Sequence, residues 1–298
     1  MRDIPFVDAH VHLWDLAKIS YPWLTPPFSD EGPNGSVEAI AKTYLLDDYL
    51  ADAEGWNIAG IVHVEAGAAA SAALAETRWL QDMAEECGMP NGIVAFAALD
   101  HPEVEPLLEA HAAHPNVRGI RQIVNWHPDP KRTYTHQDVT GSDSWQRGFD
   151  LLGKYGLSFD LQCYPGQFAN VASAIARNPD VPVILNHCGM PVDGLDQWRR
   201  ELGRLLPLPN VSVKMSGLGF IDREWWDESM RPFALELIER LGPQRVLFAS
   251  DFPTDKLFSS YDYILNFFVG ISAGFSEGEQ RAMWGRNANR VYRLGLHI

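Results

Sequence analysis

The stretch Val181-Pro182-Val183-Ile184-Leu185-Asn186-His187 is apolar almost without a break and then turns polar. A strand with one wet face alternates apolar and polar residues. A near-continuous apolar run of this length instead marks a strand covered on both faces, as in a parallel sheet. Working outward, seven more runs read the same way: Phe6–His12, Ile58–Ala66, Gly92–Leu99, Val117–Val124, Leu157–Tyr164, Val211–Ser216 and Val246–Ser250. Helical patterns fill most intervals, at Leu74–Glu86, Glu103–Ala113, Ser144–Tyr155, Gln167–Arg177, Asp196–Leu205 and Met230–Leu241, and Phe275–Arg293 follows the last strand. Ser142-Asp143-Ser144 is a helix-start signal, and Ser276 with Glu279 forms a capping box. Eight strand–helix units in 298 residues predict a (β/α)8 TIM barrel, α/β in class, with one domain over 1–298. The alternative is an open doubly wound sheet. A nucleotide-binding sheet of that kind carries a glycine-rich phosphate turn, and neither G-x-G-x-x-G nor G-x-x-x-x-G-K-[ST] occurs.

Composition narrows the function classes. Apolar residues make up 46% and charged residues 21%, a globular balance. Lys and Arg number 24 against 39 Asp and Glu, a formal charge of −15. Such a field repels phosphate backbones and anionic membranes, so neither nucleic acid nor a lipid surface is an expected partner. Cys87, Cys163 and Cys188 have no disulfide or zinc-knuckle spacing, which fits a reducing, cytoplasmic setting. A strand begins by Phe6, leaving no room for a signal peptide, and no apolar run approaches the ~18 residues of a membrane span. A homo-oligomer stays open.

The segment Trp14–Leu45 is too long for an ordinary strand-to-helix loop. It follows the first strand, at the rim where barrel active sites sit, so it reads either as a pocket wall or as a surface arm packed by its aromatics. Three strand ends carry chemistry. In Asp8-Ala9-His10-Val11-His12, residues two apart share a face, so His10 and His12 project together, a pairing that fits a metal or a catalytic role. The eighth strand ends Phe248-Ala249-Ser250-Asp251-Phe252-Pro253, placing an acid where it can take a proton from water or bind a cation. The sixth ends in His187.

These segments, with Asn186-His187-Cys188-Gly189, Val117-Arg118-Gly119-Ile120-Arg121 and Val213-Lys214-Met215-Ser216-Gly217-Leu218, resemble the amidohydrolase superfamily over nearly the whole chain. Within it they are most similar to the TIM-barrel lactonases of the amidohydrolase-2 group, which include sugar lactonases and 2-pyrone-4,6-dicarboxylate lactonase. Two-metal members carry a bridging Lys or Glu on strand four and a His on strand five. Here strand four offers Arg121, and strand five reads Phe159-Asp160-Leu161-Gln162-Cys163-Tyr164. The resemblance therefore implies one divalent ion such as zinc, held by His10, His12 and Asp251 with Glu65, His187 or water, or else no metal.

The expected reaction is the opening of a small, oxygen-rich lactone, of sugar-acid or pyrone and muconolactone type. Asp251 activates the water, and His10, His12 and His187, or an ion they hold, polarise the carbonyl. Non-oxidative decarboxylation, lactone isomerisation and non-catalytic binding are the alternatives. Arg121, Lys214, Gln162, Tyr164, Trp126 and His127, with Asn125, are candidate substrate contacts; the two cations hint at an acidic substrate, and a neutral polyol lactone is also compatible. His63 and Glu65 share a strand face and read as support for the site. His101, His111, His114 and His136 read as solvent-facing. Cys188 is adjacent to His187 in sequence, but chain neighbours on a strand point to opposite faces, which argues against a thiol nucleophile.

Overall fold

A computed structural model describes residues 2–298. All eight apolar runs are strands: β1 (Phe6–Val11), β2 (Ile58–Val64), β3 (Gly92–Phe96), β4 (Val117–Ile123), β5 (Ser158–Gln162), β6 (Val183–Leu185), β7 (Val211–Met215) and β8 (Val246–Phe248). Each pairs in parallel with the next, in chain order, and helices pack outside. The ring closes through the residues just beyond the last strand. Asp251 N donates to His10 O at 2.9 Å, and His12 N donates to Phe252 O at 2.8 Å. This seam therefore runs through the rim residues singled out by sequence.

A bulge in β1 decides which way its polar residues face. Asp8 pairs with Ile61 and Val11 with His63, so β1 spends one residue more than β2 over that interval. Strict alternation would put Asp8, His10 and His12 on one face. Instead Asp8 turns to the outer layer, where Tyr49 OH and Tyr261 OH donate to its Oδ2 at 3.0 and 3.1 Å. His10 and His12 turn into the mouth.

Two apolar cores result. The larger lies between sheet and helices and includes the fully buried Trp14, Trp145, Trp198 and Trp284. The smaller includes Val7, Val62, Val94, Ile184 and Leu247, packed with Val291 and Tyr292 from the C-terminal segment. Sequence periodicity missed the helices Leu46–Asp52 and Tyr261–Ser272. The second starts at Ser260, whose side chain accepts from Tyr263 N. The expected helix Phe275–Arg293 is broken into Glu277–Arg281, a π-helical turn Ala282–Arg286 and Asn287–Val291. His111 is not solvent-facing. It is fully buried and bridges Thr77 Oγ1 and Phe96 O at 3.0 Å each, tying its helix to β3. No helix among the described residues is long and apolar enough to cross a membrane.

Candidate active site

The C-terminal ends of β1, β6 and β8 bring His10, His12, His187 and Asp251 together. His10 Nε2 and His12 Nε2 stand 3.2 Å apart, and each is 3.3 Å from Asp251 Oδ1. The His10 and His187 rings face each other at 4.9 Å. All four residues are buried. Two are held in the left-handed backbone region, His187 at φ 50° and Asp251 at φ 60°. Non-glycine residues hold that conformation only where the surroundings over-determine it, as functional sites do.

Burial sets the charge state of the imidazoles. It lowers His10 well below the ordinary histidine range, with Lys214 adding to the effect. It takes His12 to about 3, helped by Arg121, and His187 to about 4 against the pull of Asp251. All three are neutral at pH 7. Burial raises Asp251, while His187, Arg121 and Lys214 draw it back down.

One residue that sequence reasoning overlooked belongs here. Asp255, one helical turn beyond Asp251, is buried and pushed well above the usual carboxylate range by burial and by the Asp251 charge. Asp251 Oδ2 and Asp255 Oδ1 are both buried without a donor, which favours one proton held between the two carboxyls. The i, i+4 pair of acids was the available signal.

Beneath the histidines the cations are already committed. Arg121 Nε donates to Glu65 Oε1 and its Nη2 to Glu65 O, both at 2.6 Å, while Nη1 donates to Gln162 Oε1 at 3.0 Å. Lys214 Nζ is 2.5 Å from Asp160 Oδ1 and 3.5 Å from His10 Nδ1. Each cation answers a buried internal carboxylate, so neither supports the hint of an acidic substrate. Glu65 is turned from the histidine pair by Arg121 and by Gly67 N at 2.8 Å. His63 lies behind His12 and meets Leu13 O at 3.1 Å.

A cavity of about 460 Å³ opens over this floor. His12, His187, Asp251, Arg121 and Gln162 form its base, and Pro22, Trp23 and Asn34 of the long segment after β1 supply part of the wall. Lys214 lies below it. Tyr164, Trp126 and His127 stand outside it. Tyr164 OH donates to Arg132 O at 2.5 Å, His127 Nε2 pairs with Asp193 at 3.2 Å, and Trp126 is exposed. Their strand-end positions place them past the rim rather than over it. Asn125 is fully buried, its Nδ2 against Met190 Sδ. Asn34 lies in the segment Trp14–Leu45 that the sequence offered as a pocket wall, whereas Tyr134, which also lines the cavity, carried no sequence signal because it sits in an irregular loop.

The donor set fits a metal ion. The histidine and aspartate atoms of His10, His12 and Asp251 form a triangle of 3.2–3.3 Å edges. Ligands 2.0–2.1 Å from a tetrahedral zinc stand about 3.3 Å apart. His12 Nδ1 donates to Val64 O at 2.8 Å, leaving the Nε2 lone pair free.

Fold and site together describe a barrel hydrolase with a His-x-His strand and a strand-eight aspartate. The amidohydrolase family model matches residues 7–294, and the chain belongs to that family. It is 43% identical to an uncharacterised protein, y4mH, of Sinorhizobium fredii, across 99% of this chain and all of that one. It is 26% identical to an L-fucono-1,5-lactonase of Burkholderia multivorans, covering 97% and 96% of the two chains. A crystal structure of a Burkholderia multivorans amidohydrolase with bound zinc superposes with a TM-score of 0.79 at 24% identity, over 98% of this chain and all of that one.

Proposed function

We propose that this chain hydrolyses a small lactone, with Asp251 as general base. The observation that carries the reading is the triangle of His10, His12 and Asp251 at the base of a cavity large enough for a small cyclic ester. Asp251, ionised, takes a proton from a water lying over the ester carbonyl and returns it to the departing alkoxide. His187, which lines the cavity, orients the carbonyl and stabilises the developing oxyanion. Asp255, protonated, holds the Asp251 carboxylate by its second oxygen. A divalent cation held by His10, His12 and Asp251 would supply Lewis-acid polarisation of the carbonyl. The neutral state of the histidines supports such a ligand role. An ester suits this machinery, because an alkoxide leaves far more readily than an amine.

Relatives similar to this chain carry lactonase names, which puts aldonolactones in the assay panel. The test is a panel of aldonolactones, pyrones and muconolactones followed by acid release, with wild type beside Asp251→Asn. Turnover by wild type and loss of at least about a thousandfold in the variant is the expected result. CO2 release without lactone opening, or near-normal activity of the variant, overturns the reading.

A further inference from the structure

The cavity has two unlike halves. Its base is polar, built from the site residues above. Its wall is Pro22, Trp23, Ile123, Phe220 and the turn Ala66–Ala70. The indole is fixed with its polar end turned away from any ligand, since Trp23 Nε1 donates to Ala66 O at 2.8 Å. Gly67 makes this possible. It sits at φ +72°, and a Cβ there would lie 2.8 Å from Trp23 Nε1, so the indole lies directly on bare backbone. Trp14 braces Trp23 edge-on at 5.6 Å, and Phe220 packs edge-on against His187 at 5.3 Å. This apolar wall is therefore preorganised rather than collapsed loop.

Polar groups above the base are few. Tyr134 OH donates to Asn34 Oδ1 at 2.5 Å, which leaves the Asn34 amide nitrogen as a donor on the wall, and Thr254 is buried. A polyol lactone would lose water from several hydroxyls here and find few partners for them. Both floor cations are already paired with carboxylates, which disfavours an anionic ligand. The volume, about 460 Å³, is in the range that takes ligands well beyond a bare lactone ring.

We infer that the substrate is a neutral lactone carrying an apolar substituent larger than methyl, its ring on the polar base and its substituent against Trp23, Phe220 and the Ala66–Ala70 turn. This rests on the lactonase reading. The substituent takes no part in bond making. Burying it stabilises ground and transition states alike relative to free substrate, so the gain appears in kcat/KM.

The test compares δ-hexalactone with δ-decalactone, which share ring and leaving-group class and differ in a methyl against a pentyl substituent. At about fourfold per methylene covered, kcat/KM for the pentyl lactone should exceed that for the methyl lactone by tenfold or more. In Trp23→Ala that ratio should fall to within about threefold of unity. Equal rates on the two lactones, or a ratio untouched in Trp23→Ala, overturn the inference and leave the lactonase reading standing. Binding of the corresponding methyl and pentyl lactams to the wild-type chain, by calorimetry, separates the two claims. A pentyl lactam that binds at least tenfold tighter, with a more negative heat-capacity change, supports the apolar wall even if neither lactone is opened. Equal lactam affinities overturn it.

Discussion

Replacing Lys214 by methionine probes the charge balance on which the floor of the site stands. Lys214 and Asp160 are both fully buried, with Nζ 2.5 Å from Oδ1. Asp160 also accepts from Tyr292 OH at 2.9 and 3.0 Å and from Asn186 Nδ2 at 3.1 Å. Methionine keeps most of the volume but leaves the carboxylate with neutral donors only. Breaking a buried pair from one side costs about 3–5 kcal/mol, because the remaining charge has no water to turn to. Tyr292 and Asn186 keep donating, so the expected loss is near the lower end, about 3 kcal/mol. Asp160→Asn strands an amine instead. Burial already draws the Lys214 pKa down, so that amine can shed its proton and the loss should be smaller. The double variant buries no charge at this level and should recover most of the stability. Urea unfolding of wild type, both single variants and the double variant at pH 7 gives the coupling, expected to be at least about 2 kcal/mol. Simple additivity would refute the account. Because Lys214 Nζ also faces His10 Nδ1 at 3.5 Å, the single methionine variant should lose activity even where it stays folded.

Further outcomes follow from other contacts. Protein purified without chelators should bind one zinc per chain, and His12→Ala should weaken that binding at least about tenfold in a competition titration; stoichiometric, unweakened binding by the variant would remove His12 from the ligand set. Gly217 stands at φ +60° in close contact with the His187 ring, so Gly217→Ala should strain the backbone by about 1–2 kcal/mol and cut kcat/KM at least about tenfold; unaltered kinetics would free His187 of its assigned position. Burial and Glu65 raise Glu76 from 4.5 to about 8, so the folded chain holds a proton there that the unfolded chain has lost. Stability therefore falls as pH rises through that window, by about 5 kcal/mol in all, and Glu76→Gln should abolish this part of the slope; parallel stability curves would contradict it. His12 and His187 act in the opposite direction. Their folded pKa values, about 3 and about 4, lie below the unfolded 6.5, so stability should drop as pH falls from about 6.5 toward 4, read by thermal melts.

The barrel was legible because its signal is local. Unbroken apolar runs report strands covered on both faces, and all eight runs became strands. The rim residues were legible because chemistry-bearing side chains closing an apolar strand have few structural uses, and His10, His12, His187 and Asp251 do meet. His111 was misread because an amphipathic helix pattern does not say which polar residue finds an internal partner. Tyr164, Trp126 and His127 sit a residue or more past their strand ends, where loop geometry rather than strand direction sets orientation.

Pattern and residue order alone thus determined the architecture and pointed to the four rim residues that meet at the mouth. The closed tertiary structure alone decided what each charge does there. Arg121 finds Glu65 across 56 positions, and Lys214 finds Asp160 across 54. A single extra residue in β1 sends Asp8 outward to Tyr49 and Tyr261 while His10 and His12 turn in. The physical reason is range. Hydrophobic periodicity is written along a few consecutive residues, whereas the partner of a buried charge is whatever the curvature of the sheet brings within a hydrogen bond's length.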